Sequence, residues 1–263
     1  MKILDGRELA GFVKERQAHV VRGLVAEKKT PKLVIIRDSE NPVIMKYVGL
    51  KKQYGEDIGV LVSDVFAEDL EALKNAVKSA NEDVGVSGII VQLPLKNAEW
   101  TDEVVSLIVP EKDVDGLSGK GKFDSATATA INWLLSGHGI ELSGKRIAIV
   151  GRGRLVGAPL IKMWTNSGLD VSVFHRGSDF FLLKDFNVIV TATGNPHLIT
   201  SEMISSGTVV VDAGTASEDG VIVGDINDEI RAREDLSALT PRIGGVGPLT
   251  VSVLFENVIN ATK

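Results

Sequence analysis

The sequence predicts an α/β fold of two lobes, and three observations predict it. Short apolar runs alternate with stretches of helical periodicity along most of the chain. Residues 146–176 place a strand, a glycine turn, a helix and a second strand in the order of a βαβ unit. Residues 117–124, LSGKGKFD, form a polar, glycine-containing break between two such series, so the first lobe is expected over 1–120 and the second over 121–247.

The first lobe opens with Leu9, Phe12, Val13, Val20, Val21, Leu24 and Val25 at helical spacing within 7–28, a packing helix. Leu33 to Ile36 reads as a buried strand, and Asn41-Pro42 marks the turn into a helix over about 43–56. Strand 60–62, a helix over about 68–80, and strand 87–91 running into Gln92-Leu93-Pro94 continue the alternation, followed by a helix over about 101–108. The loop Pro110–Gly116 carries Asp113 and Asp115 at i and i+2 but lacks the other oxygens of a calcium loop, so no metal site is expected.

In the second lobe a helix over 126–136 precedes strand 146–150, which breaks at Gly151-Arg152-Gly153 and passes into a helix from Leu155. The first amides of such a helix lack internal partners and its dipole is positive there, which suits a pyrophosphate. Strand 171–174 ends in His175-Arg176, a cation where NAD sites commonly place an acid for the ribose, which suits the 2′-phosphate of NADP rather than NAD. Further strands, 188–191 and 208–211, end in small residues. Residues 221–223 read as a short strand or hairpin, 240–248 as a glycine-rich turn, and Thr250 to about Asn260 as the last helix.

Composition removes several function classes. A formal charge of −6 with no basic tract argues against nucleic acid or an anionic membrane as partner, and the absence of cysteine removes disulfides and thiolate nucleophiles. The charged N-terminus has no apolar signal core and no stretch reaches membrane-spanning length, so a cytoplasmic protein is expected. No serine-hydrolase order, HExxH or Walker sequence is present. Lys51 is the best acid/base candidate, because a partly desolvated lysine exchanges protons near neutrality. Tyr47 lies four residues before it on the same helix face, and Gln92 follows an apolar strand directly, at the carboxyl end where open α/β sheets place ligands. Taken alone, Lys51 reads as an ordinary surface lysine, and the bland reading of Gln92 is a strand-end amide tying down a loop.

Together these stretches resemble a known family. Leu4-Asp5-Gly6, Tyr47-x-x-x-Lys51, Val91-Gln92-Leu93-Pro94, Pro110-Glu-Lys-Asp-Val-Asp-Gly116, Gly151-Arg152 with Val156-Gly157, Thr193-Gly194, Gly224-Asp225 and Gly244-Gly245-Val246-Gly247-Pro248 occur in the order seen in bifunctional methylenetetrahydrofolate dehydrogenase/methenyltetrahydrofolate cyclohydrolase, over nearly the whole chain. The resemblance implies a homodimeric enzyme of one-carbon metabolism serving purine biosynthesis. It implies an N-terminal α/β lobe rejoined by the C-terminal helix 248–263, a Rossmann-like NADP lobe, and a cleft between them for tetrahydrofolate derivatives. It further implies that Tyr47 stacks on the folate, Lys51 is catalytic, Gln92 orients Lys51 and Asp115 hydrogen-bonds the pterin. The folate would also meet Val91, Leu93, Gly244, Gly245, Val246, Gly247 and Pro248. NADP would meet Gly151, Arg152, Gly153, Val156, Gly157, His175, Arg176, Thr193, Gly194 and Thr215.

The implied chemistry is hydride transfer from methylenetetrahydrofolate to NADP, then hydrolysis of the methenyl product to 10-formyltetrahydrofolate. The residues fit it, since water attack on a cationic iminium carbon needs a nearby amine and neither metal nor thiol. The chain departs from the family at Ser125-Ala126-Thr127-Ala128, where Pro-Cys-Thr-Pro is usual, and at Ile44, Gln53 and Gly153. Two alternatives therefore stand beside the bifunctional reading: a dehydrogenase whose cyclohydrolase activity is lost, and a folate- or nucleotide-binding protein without turnover.

Overall fold

The computed structural model describes residues 1–214, 216–218 and 221–263. In chain order its strands and helices are β1 (Lys2–Ile3), α1 (Gly6–Ala26), β2 (Lys32–Arg37), α2 (Pro42–Ile58), β3 (Leu61–Phe66), α3 (Leu70–Glu82), β4 (Gly88–Val91), α4 (Trp100–Val105) and α5 (Ala126–Gly137). There follow β5 (Arg146–Val150), α6 (Gly157–Asn166), β6 (Asp170–Phe174), β7 (Val188–Thr191), β8 (Val209–Asp212), β9 (Ala216–Glu218), β10 (Val221–Val223), α7 (Asp228–Arg231), β11 (Ala238–Leu239) and α8 (Val246–Thr262).

The chain divides into two units. One comprises Gly11–Ala126 with Val251–Lys263, the other Met1–Ala10 with Thr127–Thr250. The first holds a parallel sheet in the order β3-β2-β4, with Leu33 opposite both Val62 and Gly88. Its central strand is buried along almost its whole length, which is why it reads as a continuous apolar run. Val34, Ile36, Ile89 and Val91 pack with Leu73 and Val77 of α3 and Val104 and Val105 of α4. Leu73→Ala in such a core costs about 2–5 kcal/mol.

The second unit holds a six-stranded sheet in the order β1-β11-β8-β7-β5-β6, every pair parallel, with β9 and β10 forming a separate antiparallel ribbon. Val150, Phe174, Ile189 and Val210 form its core with Leu183, Ile226 and Ile230.

Three expectations change. Residues 1–10 belong with the second unit instead of the first, because Lys2 and Ile3 pair with Ala238 and Leu239 and the Gly6 N–H donates to Gly244 O at 2.8 Å. A Cβ on Gly6 would strike the Gly245 carbonyl, so the Asp5-Gly6 and Gly244-Gly245 motifs are explained by each other. The polar linker is not where the units divide: Asp113 ties down Leu117 and Ser118, and the change of unit falls between Ala126 and Thr127. The last helix starts at Val246 rather than Thr250, so Val246, Gly247 and Pro248 form its first turn, where proline costs no hydrogen bond.

Candidate functional site

In the unit of Gly11–Ala126 the site grows from α2. Asn41 caps that helix by accepting from the Val43 N–H at 2.9 Å, Pro42 opens it, and Gly59 ends it in the left-handed region with φ +84°. Between these stops Lys51 is half-buried, and its Nζ donates to Oε1 of Gln92 at 2.7 Å. Gln92 is fixed on three sides. Its backbone N–H donates to Ile36 O at 2.8 Å, its Nε2 donates to Leu93 O at 2.9 Å, and its remaining acceptor faces Lys51.

Burial lowers the Lys51 pKa below the usual lysine range, and the carboxylate of Asp115 partly opposes that. Asp115 is pushed up to about 6 by burial, with Lys51 pulling it down and Asp113 pushing it further up. Each group is therefore the other's principal opposite charge. Tyr47, one turn before Lys51, is half-buried, and desolvation raises its phenol pKa.

The loop holding Asp115 is braced from several directions. Lys112 Nζ donates to the carbonyls of Ala80 and Asn81 at 3.0 and 2.8 Å, at the C-terminal end of α3 where a cation suits the helix dipole. Ile89 N–H donates to Lys112 O at 2.8 Å, and Asn257 Nδ2 donates to Val114 O at 2.8 Å. Asp113 spends its oxygens on the loop itself, accepting from Leu117 N at 3.2 Å and from Ser118 N and Oγ at 2.9 and 2.5 Å. The two aspartates of one motif thus differ: Asp113 shapes the loop, and Asp115 interacts electrostatically with Lys51. Val91 contributes its side chain to the core, leaving only its backbone for a ligand, and Leu93 packs against the same core.

The second unit carries the glycine turn. Gly151 has φ +108°, and a Cβ there would strike Ala192 O. A Cβ on Gly157 would likewise strike Gly151 O. These two glycines let the turn close on itself and on the end of β7, whereas a Cβ on Gly153 would meet only Ala192 O at 3.9 Å, an ordinary contact. The helix start offers fewer amides than its sequence suggests, since Ala158 N–H donates to Gly153 O at 3.0 Å and Pro159 has none to give. Val156 at the cap supplies no side-chain acceptor. Arg152 is exposed in the turn, and Arg176 is exposed beyond β6 with no ion pair among the described residues.

His175 is exposed, and its Nδ1 lies 2.9 Å from Arg176 O, so Nδ1 carries the proton and Nε2 is left as an acceptor in the neutral ring. Thr193 and Gly194 follow β7, with the Thr193 N–H donating to Asp225 Oδ2 at 2.6 Å. Thr215 lies outside the described residues. Gly244 to Pro248 belong to this unit, next to Gly6 and Arg7, with Gly247 open to solvent on the Cβ side.

Sequence reasoning missed Asp212 and Asp225 as site-builders. Asp212 Oδ1 accepts from Thr191 Oγ1, Asp225 N and Gly214 N at 3.0, 3.0 and 3.2 Å, and Oδ2 pairs with Arg231 at 2.5 Å. Asp225 is buried with no partner for Oδ1 among the described residues, and desolvation raises its pKa. The two acids gather the loops after β7, β8 and β10. Their signal was available, since each ends an apolar run and stands beside a glycine-containing turn. A cavity of about 320 Å³ lined by Asn132, Met163, Trp164 and Leu169 lies at the amino edge of β5 and β6, away from the carboxyl edge that bears the glycine turn. No cluster of metal-ligating side chains exists among the described residues, and no described helix is long and apolar enough to cross a membrane.

Comparison with known proteins agrees over the whole chain. Residues 4–115 match the family model "Tetrahydrofolate dehydrogenase/cyclohydrolase, catalytic domain", and residues 125–263 match "Tetrahydrofolate dehydrogenase/cyclohydrolase, NAD(P)-binding domain". The chain is 37% identical to the bifunctional protein FolD of Lactobacillus delbrueckii subsp. bulgaricus, covering 100% of this chain and 97% of that one. Among solved structures it is similar to the bifunctional FolD enzyme of Campylobacter jejuni, with TM-score 0.91, 32% identity and coverage of 100% and 98%. It is equally similar to the Trypanosoma brucei enzyme complexed with NADP cofactor and inhibitor, with TM-score 0.91, 30% identity and coverage of 99% and 96%.

Proposed function

The chain belongs to the tetrahydrofolate dehydrogenase/cyclohydrolase family, and from that premise we propose how its own residues divide the work. It is an NADP-dependent methylenetetrahydrofolate dehydrogenase and methenyltetrahydrofolate cyclohydrolase. The observation that carries the assignment of roles is the half-buried Lys51, held by Gln92 at 2.7 Å and balanced by Asp115.

When bound, NADP accepts the hydride that leaves the one-carbon bridge. The chain's part in that step is to bind and orient. Exposed Arg152 and Arg176 and the exposed backbone at Gly153 fit its phosphates, and Arg176 is assigned the 2′-phosphate. Tyr47 is assigned the face of the folate ring system and Asp115 its amino-pyrimidine donors, to which an ionised carboxylate accepts.

In the hydrolytic step a water oxygen bonds the methenyl carbon and its first proton passes to the neutral amine of Lys51, available because burial disfavours the ammonium. The hydroxyl then loses its proton as the carbonyl forms and the bond to N5 breaks, and Lys51 returns a proton to N5. One proton is released to solvent. Gln92 carries no charge, so it aims Lys51 without trapping it as ammonium. A homodimer in the cytoplasm, as the family resemblance implies, is proposed for its assembly and location; sedimentation of the purified chain tests the first.

The assay that tests the whole reading follows methylenetetrahydrofolate oxidation by absorbance with NADP or NAD, then decay of the methenyl product. If decay stays at the buffer rate while NADP is reduced, the assignment of Lys51 to hydrolysis fails.

A further inference from the structure

Lys51 is aimed from the side by Gln92, but nothing in that contact fixes the helix that carries it. The fixing lies one turn further on. Tyr54 on α2 has its hydroxyl 2.8 Å from Gln17 Oε1 on α1 and 3.1 Å from Ser252 Oγ on α8. Its ring stacks on Phe255 of α8 with centroids 5.0 Å apart, and Lys14 Nζ lies 5.1 Å from the ring centroid.

Gln17 is itself completely engaged: Nε2 donates to Ser252 O and to Glu256 Oε2, both at 2.8 Å, while Oε1 receives the phenol. Gln17 and Ser252 are buried, so each of these bonds is made where water does not substitute. Arg16 completes the charge balance by pairing with Glu256 at 2.8 Å. Burial pushes the Tyr54 phenol up to about 12, so the hydroxyl keeps its proton throughout the working range.

We propose that Tyr54 is a positioning residue for Lys51, in which the Gln17–Tyr54–Ser252 network locks α2 against α1 and α8 so that the amine meets Gln92. This rests on the reading of Lys51 as the proton carrier. A phenylalanine at 54 would supply the same ring to Phe255; the hydroxyl adds direction, because hydrogen bonds to two other helices resist rotation and sliding of α2 that apolar contact allows. Gly55 beside it lets the helix backbone approach Val62 and Phe255 closely, so α2 is held at this turn, while the polar tie at Lys51 itself is Gln92. Misplacement of an ångström at a reacting group costs on the order of a hundredfold, and a fraction of that is the scale expected here.

The test is Tyr54→Phe, assayed well below the unfolding midpoint measured for each protein. The expected result is a cyclohydrolase kcat lower by about tenfold with KM for the methenyl substrate and for NADP within about twofold. A lowered midpoint with unchanged kcat would mean that the hydroxyl only stabilises the fold, and overturns the proposal. Gln17→Met, which removes the acceptor from the other side, is expected to give the same kcat loss, with little further loss in the double variant; additive losses overturn it too. Gln17→Met alone decides the matter if Tyr54→Phe does not fold. Wild-type enzyme that fails to hydrolyse the methenyl substrate would sink the reading of Lys51, whereas active wild-type with a fully active Tyr54→Phe sinks only the role of Tyr54.

Discussion

Lys51 Nζ and Gln92 Oε1 are 2.7 Å apart, joining the middle of a helix to the first residue beyond a strand. If the amine carries protons for hydrolysis, Lys51→Met keeps the length of the side chain and removes the chemistry. Cyclohydrolase activity is expected to fall by about 10²- to 10⁴-fold, while folate binding, measured by fluorescence titration, stays within a few-fold. Unchanged turnover would take Lys51 out of the mechanism.

Replacing the neutral partner by an acid tests why a glutamine is used. Gln92→Glu puts a carboxylate against the amine, which favours the ammonium and reverses the lowering caused by burial. The pH at which hydrolysis reaches half its maximal rate is expected to rise by about one unit or more. A pH–rate profile that does not move would show that Gln92 does not govern the state of Lys51.

Arg176 is exposed at the end of β6 and has no ion pair among the described residues, so its charge is available to a phosphate. Loss of a charge-assisted contact worth about 1.5–3 kcal/mol predicts that Arg176→Ala raises KM for NADP roughly 10- to 100-fold. KM for NAD, which lacks the 2′-phosphate, is expected to stay nearly constant. Equal losses with both dinucleotides would reassign the 2′-phosphate to another cation, with Arg152 next in line.

What could be read from the chain alone followed how local each signal is. β5 announces itself because Ile147 to Val150 is buried on both faces, and α2 because Asn41, Pro42 and Gly59 punctuate both ends. β1 and β11 were illegible, since two residues each carry no period; they are strands only because Lys2 meets Ala238 and Ile3 meets Leu239. The early start of α8 was hidden by Gly245 and Gly247, which read as a turn. At the site, Tyr47, Lys51, Gln92 and Asp115 were each legible as residue types at helix, strand-end and loop positions. That Asp113 folds back on Ser118 while Asp115 feels the charge of Lys51 depends on the path of the loop, which no spacing specifies.

Gly151 offers a test of the turn itself. With φ +108° and Ala192 O in the place of a Cβ, Gly151→Ala combines backbone strain with a clash against main chain that has no rotamer to escape into. Destabilisation of about 2 kcal/mol or more corresponds to a fall in Tm of roughly 4–8 °C. Thermal unfolding checks it, with Gly153→Ala as the control, since a Cβ there would lie 3.9 Å from Ala192 O and φ is outside the left-handed region. The control is expected to leave Tm nearly unchanged while weakening NADP, so the two variants separate folding from binding within three residues.

Asp115 gives the protein a pH dependence whose sign is fixed by burial. Its folded pKa, about 6, exceeds the ordinary value of 3.8 that it takes when unfolded, so between those values the unfolded chain releases a proton that the folded one retains. The stability contributed by Asp115 is therefore complete below the unfolded value and is lost as pH rises through about 6. Asp115→Asn stays neutral throughout and does not suffer that loss. Its Tm relative to wild-type is expected to increase from about pH 4 to about pH 7, by roughly 2–4 °C for each kcal/mol involved. At pH 7, where the wild-type carboxyl is ionised, its KM for the folate is expected to be about tenfold higher, because the amide replaces an ionised acceptor by a neutral one. A Tm difference that is flat or falls with pH would mean that the carboxyl is already well paired, and Lys51 would then lack the lowered pKa on which its proton transfer depends.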